Sequence, residues 1–300
     1  MSIYSQISAN KWRTILIFAV FILLVSGFFL IIGQYFQSPR EYLFIGLSFS
    51  LISTIGSYFY SDKIVLFTVG AVLADKKKYF NFYTVAENLS IAAGLPFPKL
   101  YVVNDPSPNA FATGRDPKHA IVCATTGLLQ VLDRTELEGV IAHELSHVKN
   151  HDILVMSVVA VLVGTVALVS DWIMRSMWWG GFGRRSDDRD NGRNPIMFVF
   201  FILALIIGPI VATIIQLAIS RKREYLADAD GALLTRYPEG LARALEKISD
   251  SPFQMRSAST STAHLFISNP FKKNKKSSWF VNLFSTHPPI EERIKILREM

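Results

Sequence analysis

The sequence predicts an α+β, mainly helical chain, with four transmembrane helices in two hairpins attached to a soluble part that carries a small β-sheet. Three observations lead there. Half of the 300 residues are apolar and the mean hydropathy is positive, a balance foreign to an ordinary soluble domain. Four uncharged stretches reach or approach the roughly 20 residues that a helix rising 1.5 Å per residue needs to cross a bilayer core about 30 Å thick. Between and after them lie polar segments in which helical and β-branched patterns alternate.

The first stretch covers residues 14–39 and the second 42–61. The loop between them is so short that they form a hairpin, occupying 1–61. The first apolar run is too long for a signal peptide and no small-residue cleavage site follows it, so it reads as a retained anchor. The third stretch covers 153–170 and the fourth 195–220, together the second hairpin at 153–220. Residues 64–74 are apolar but too short to span, and read as a buried or interfacial segment. Lys11, Arg13, Lys63 and Arg221 to Arg223 favour the cytoplasmic side, as for a multi-pass protein of the plasma (inner) membrane. Arg175, Arg184, Arg185, Arg189 and Arg193, between the third and fourth stretches, run against that bias.

The soluble part divides into 62–152 and 221–300. An amphipathic helix over 82–93 ends at Gly94 and Pro96. Segments 99–103, 109–113 and 120–125 have strand character. A further helix starts near Thr135, with Thr135-Glu136-Leu137-Glu138 as a capping box, and runs through His151. Helical pattern resumes from Arg221 to Ile248, and a short helix over 289–299 closes the chain.

The net charge of +7 forms no single basic stripe. Its residues flank apolar runs or crowd into Lys272 to Lys276, which suits anionic lipid headgroups better than nucleic acid. No Gly-Lys-Ser/Thr phosphate loop occurs, so no nucleotide partner is expected. The one cysteine, Cys123, can make neither an internal disulfide nor a thiolate metal site. Any metal must therefore use histidine and carboxylate ligands.

His143-Glu144-Leu145-Ser146-His147 supplies such ligands. Residues four apart share a helix face, so both imidazoles can bind one zinc ion while Glu144 serves as base towards an activated water. A solvated helix with two unrelated histidines is the competing reading. Catalytic zinc takes three protein ligands and keeps one position open. Glu224, in Arg223-Glu224-Tyr225-Leu226-Ala227-Asp228, offers the third, and Asp228 one turn later can orient a ligand histidine. Two membrane crossings between His147 and Glu224 return the chain to one face, which lets both halves meet. His151, a further turn beyond His147, is a rival third ligand, although three histidines spaced by four on one straight helix cannot all converge on one ion. His119 and His264 read as surface or loop residues, and Asp152 as a local cap at the membrane junction.

His143-Glu144-x-x-His147, Arg223-Glu224-x-x-x-Asp228, Asn109-Ala110-Phe111 and Thr286-His287-Pro288-Pro289 occur in this order along the chain. In these motifs it resembles the HtpX-type membrane zinc proteases, relatives of the Ste24 peptidases among the M48 metallopeptidases. The resemblance implies a zincin-like catalytic domain. It implies one zinc ion per chain on His143, His147 and Glu224, with Glu144 as general base. It also implies that the strand at Asn109, Ala110 and Phe111 pairs with substrate backbone, and that His287 and Arg293 stabilise an oxyanion. The implied role is ATP-independent cleavage of misfolded or damaged membrane proteins or unfolded proteins in stress and quality control. A prenyl-protein processing peptidase is a competing reading, disfavoured because four short spans leave little room for an enclosed chamber. A transporter would carry ionisable residues within its spans, and these have none between their ends. A catalytically dead scaffold is expected to lack Glu144 or a ligand, and all are present.

Overall fold

The computed structural model describes residues 3–180, 221–271 and 288–300. Helices α1 (Ile3–Tyr35) and α2 (Pro39–Val69) are joined by a short turn and pack on each other. Pro39 opens α2, where its missing N–H has no helical partner to lose. Helix α2 is continuous to Val69 and ends at Gly70, whose φ of 66° is left-handed. The segment 64–74 is therefore not a separate interfacial piece. Its first half prolongs α2, and Ala71–Leu73 form strand β1.

Strand β1 pairs antiparallel with β2 (Lys99–Val103). Strand β2 runs parallel to β4 (Ile121–Thr125), which pairs antiparallel with β3 (Ala110–Thr113). The sheet order β1-β2-β4-β3 places β3 at an edge. Helix α3 (Phe80–Ala93) packs against α5 and stops at Gly94 as expected. A short helix α4 (Thr126–Val131) leads to α5 (Arg134–Lys149). The capping box of α5 lies two residues earlier than predicted. Asp133 is the N-cap, its carboxylate accepting from Glu136 N–H while Glu136 accepts from Asp133 N–H. Thr135 instead donates its hydroxyl to Asp133.

Helix α5 ends at Lys149 rather than beyond His151. Residue His151 has a φ of 59°, and a new helix, α6 (Asp152–Gly180), begins immediately after it. After Arg221 the predicted single helix is two, α7 (Arg221–Thr235) and α8 (Pro238–Asp250), separated at Arg236 with a φ of 54°. Helix α9 (Ile290–Arg298) closes the chain. The core of the soluble part lies between the sheet and α5, where Leu100, Val122, Val140, Ile141 and Leu145 meet Leu241 and Leu245 of α8 and Leu297 of α9.

Among the described residues, three helices are long and apolar enough to cross a membrane: Ile7–Gln34, Pro39–Val69 and Asp152–Asp171. The last is 61% buried against 17% and 22% for the others, so α6 is the helix on which the other two pack. The predicted fourth span at 195–220, the Arg-rich loop 184–193 and Lys272 to Lys276 lie outside the described residues.

Packing around α5 depends on missing side chains. A Cβ at Gly139 would stand 2.6 Å from Leu241 N, so glycine lets α8 lie directly on α5. Gly139→Ala is expected to destabilise the fold by about 1–3 kcal/mol through this overlap, although alanine is the better helix former. Thermal unfolding of the detergent-solubilised variant checks this, and an unchanged midpoint would contradict it.

Candidate metal centre

Helix α5 supplies half of the site. With its apolar face on the sheet, His143, Glu144 and His147 are all buried on the side turned to α7 and β3. Helix α7 supplies the other half, because Glu224, Asp228 and Gly231 recur at helical spacing on one face. Gly231 permits the approach, since a Cβ there would lie only 3.0 Å from His143 N.

The three predicted ligands converge. The Nε2 atoms of His143 and His147 are 3.3 Å apart. Glu224 Oε2 lies 3.9 Å from the first and Oε1 3.6 Å from the second. Ligand atoms bound at 2.0–2.1 Å around a tetrahedral ion stand about 3.3 Å from one another, so the spacing suits a small divalent cation. Among the described residues, His143, His147 and Glu224 are the group able to hold a metal ion.

Each ring is held from behind. His143 Nδ1 is 2.8 Å from Asp228 Oδ1, and His147 Nδ1 is 3.1 Å from Asp152 Oδ2. A carboxylate behind Nδ1 keeps the proton on that nitrogen and leaves the Nε2 lone pair facing forward. Two lone pairs 3.3 Å apart repel unless a cation or a proton lies between them. The charges agree. Four buried carboxylates (Glu144, Glu224, Asp152 and Asp228) face fully buried Arg293 and mostly buried Arg223. Two negative charges remain, which a divalent cation would balance.

Titration follows from these contacts. Burial alone would lower His147, but the bond to Asp152 and the charge of Glu224 outweigh it and lift the metal-free ring to about 9. His143 is pushed down, first by burial, despite Asp228. Burial, then the charge of Glu224, raises Glu144 to about 7, while the Ala112 backbone N–H donated to its carboxylate opposes the rise. Burial would raise Asp228 too, yet the charge and bonds of Arg293 hold it at about 2.

Arg293 stands behind Asp228. Its Nε and Nη2 donate to the two Asp228 oxygens at 2.8 and 2.7 Å, and Nη1 donates to Ile267 O at 2.9 Å. Strand β3 runs beside α5, and all of Asn109, Ala110 and Phe111 are buried. The Ala110 carbonyl accepts from Ile267 N–H at 2.9 Å, Asn109 donates to Ser268 O at 3.0 Å, and the Phe111 ring packs edge-on against Phe266. His287 lies outside the described residues.

Two sequence readings are corrected here. Asp152 is not merely a junction cap, for it orients His147. Its Oδ1 also accepts from Asn10 Nδ2 at 2.7 Å and Arg223 Nη1 at 3.2 Å, and Asn10 donates to Asn150 O at 2.9 Å. The first membrane helix thus reaches the metal centre. A helix break between His147 and Asp152 was the missing signal, because only a reversed backbone brings a residue five positions on back to the ring. The same break removes His151 from the face of α5 that carries the other two histidines. His264 is buried, with Nε2 3.0 Å from Met156 O, whereas His119 is exposed and paired with Asp116.

Residues 80–300 match peptidase family M48. The chain belongs to that family. It is 48% identical over 302 residues to "Protease HtpX homolog" of Caldanaerobacter subterraneus subsp. tengcongensis, covering 100% of this chain and 98% of the relative. It is also 48% identical over 297 residues to "Protease HtpX homolog" of Tropheryma whipplei (strain Twist), covering 99% and 98%. A solved structure titled "Crystal Structure of S. mikatae Ste24p" aligns with a TM-score of 0.46 at 20% identity, over 95% of this chain and 66% of that one. As an M48 member with HtpX relatives along its whole length, the chain is a membrane metallopeptidase.

Two measurements test the centre. Asp152→Asn and Asn10→Leu are each expected to weaken retention of zinc or cobalt by about 10–100-fold, the usual effect of losing a partner behind a ligand. Chelator competition reads this, and unchanged affinity would remove both residues from the site. Because His147 must lose its proton to ligate, metal affinity should rise with pH up to about 9 and fall by about tenfold per unit below that. A flat profile between pH 6 and 9 would contradict the pairing of His147 with Asp152.

Proposed function

We propose that this chain is a zinc endopeptidase that cleaves misfolded or damaged membrane proteins without ATP, its centre facing the cytoplasm from the plasma (inner) membrane. One observation carries the chemistry: two Nε2 atoms 3.3 Å apart beside a carboxylate, each ring backed by a second carboxylate, next to a buried glutamate outside that trio, Glu144. His143, His147 and Glu224 would hold the zinc. The ion supplies Lewis acidity to a water molecule and to the scissile carbonyl.

Glu144 moves the proton. A carboxylate lifted to about 7 by burial takes a proton readily near neutral pH and returns it readily. It accepts one as water attacks and delivers it to the departing amine. Strand β3 runs beside α5, so a substrate lying along that strand would pass close to the base. Asn109, Ala110 and Phe111 shape this edge, although the Ala110 carbonyl is already satisfied by Ile267. A substrate strand added at this edge would therefore not use the Ala110 carbonyl. Asp228 orients His143. Arg293 acts through Asp228 as a positioning residue, since each of its nitrogens donates to a protein acceptor. His287 remains assigned to the oxyanion on its motif alone. The absence of a phosphate-loop motif supports energy independence, and the cationic ends of the first two spans support the cytoplasmic side.

Casein cleavage and metal content of purified, detergent-solubilised variants test this reading. Glu144→Ala should keep zinc while losing about 100-fold to 10,000-fold in rate, the range for a general base. Glu224→Ala should lose both metal and activity. Full activity in either variant would overturn the assignment.

A further inference from the structure

A cavity of about 370 Å³ opens between the first half of α1, Tyr58 of α2, the start of α6 and the loop at Arg115 and Asp116. Its described lining joins two cationic side chains, Lys11 and Arg115, and the imidazole of His151, whose pKa burial and then the charge of Lys11 push down, to an apolar wall of Ile15, Phe18 and Leu154. Asp116 also borders it, but that carboxylate is already satisfied. It accepts from the backbone N–H groups of Lys118 and His119 and from the His119 ring, and lies 3.5 Å from Arg115 Nε. The side chains of Lys11 and His151, by contrast, make no hydrogen bond or ion pair within the protein among the described residues.

The backbone sharpens the point. His151 sits at a φ of 59°, a left-handed conformation that glycine adopts freely and that, among other residues, asparagine, aspartate and histidine adopt most often. Glycine would serve the break between α5 and α6 without a side chain, whereas His151 lines the cavity with an imidazole. Depth supplies the other half of the argument. Lys11 precedes the apolar run of α1, Leu154 opens that of α6, and neighbouring Trp12 and Tyr60 are exposed, as aromatic side chains are at headgroup level. Cations stand at the mouth of the cavity, and the apolar wall belongs to the spans themselves.

We propose that this cavity is a binding site for one anionic phospholipid, with Lys11 and His151 holding phosphate oxygens and Ile15, Phe18 and Leu154 lining the start of an acyl chain. A free phosphate would satisfy the cations but leave that wall uncovered. The site is separate from the metal ligands and does not depend on the peptidase reading.

Delipidated full-length protein in detergent, titrated with phosphatidylglycerol, phosphatidylcholine or inorganic phosphate and read by native mass spectrometry, tests the proposal. Phosphatidylglycerol should bind first and at least about fivefold more tightly than phosphatidylcholine, and Lys11→Gln should remove about that factor, the worth of one cation near a lipid anion. His151→Gly should weaken binding similarly while melting no lower than the parent, because glycine relieves the backbone. Lys63→Gln, an exposed cation close to Tyr60, should leave binding unchanged. Equal binding of the two lipids, full competition by inorganic phosphate, or an equal loss in Lys63→Gln would overturn the proposal. Should His151→Gly fail to fold, unaltered binding in Lys11→Gln overturns it alone.

Discussion

Two imidazole nitrogens 3.3 Å apart, each ring held from behind by a carboxylate at its other nitrogen, are the constraint on which this structure turns. Such an arrangement is unfavourable in itself, as is the burial of four carboxylates around it. A divalent cation relieves both. The fold therefore concentrates opposing charges at one point and tolerates them only while each has a partner, the usual condition for ionised groups removed from water.

The partners come from far along the chain. Arg293, fully buried on the last helix, grips Asp228, and Asp228 holds His143. Asn10 on the first helix and Arg223 on α7 grip Asp152, which holds His147. Each ligand histidine is thus backed by a chain of two buried contacts ending on a different element. One end of the sequence braces one imidazole and the opposite end braces the other. The membrane helices in this arrangement are part of the centre's outer support as well as an anchor.

The sheet adds direction. Strand β3 runs beside α5, which carries Glu144, and is fastened at one end by a 2.7 Å contact between Thr113 Oγ1 and Ser157 Oγ of α6. Residues 267 and 268 occupy its outer edge at Ala110 and Asn109. The strand and the membrane helix are consequently fixed relative to one another by buried polar contacts. Buried contacts of this kind set geometry more firmly than surface pairs do, because leaving any one unmade exposes an uncompensated polar group.

Local pattern by itself determined much of this protein. Helical spacing put His143 and His147 on one face, the carboxylate at Glu224 one turn before Asp228 was visible, and the long apolar runs marked three of the spans described. These are properties of neighbours in sequence, which periodicity reports directly. Tertiary structure alone decided what depends on a reversal or a distant approach. The left-handed turn at His151 carries Asp152 back to His147, the missing side chain at Gly231 sets the distance between α7 and α5, and Asn10 and Arg293 arrive from opposite ends of the chain. A residue's role as support for a ligand depends on which buried charge it ends up facing, and no local pattern encodes that.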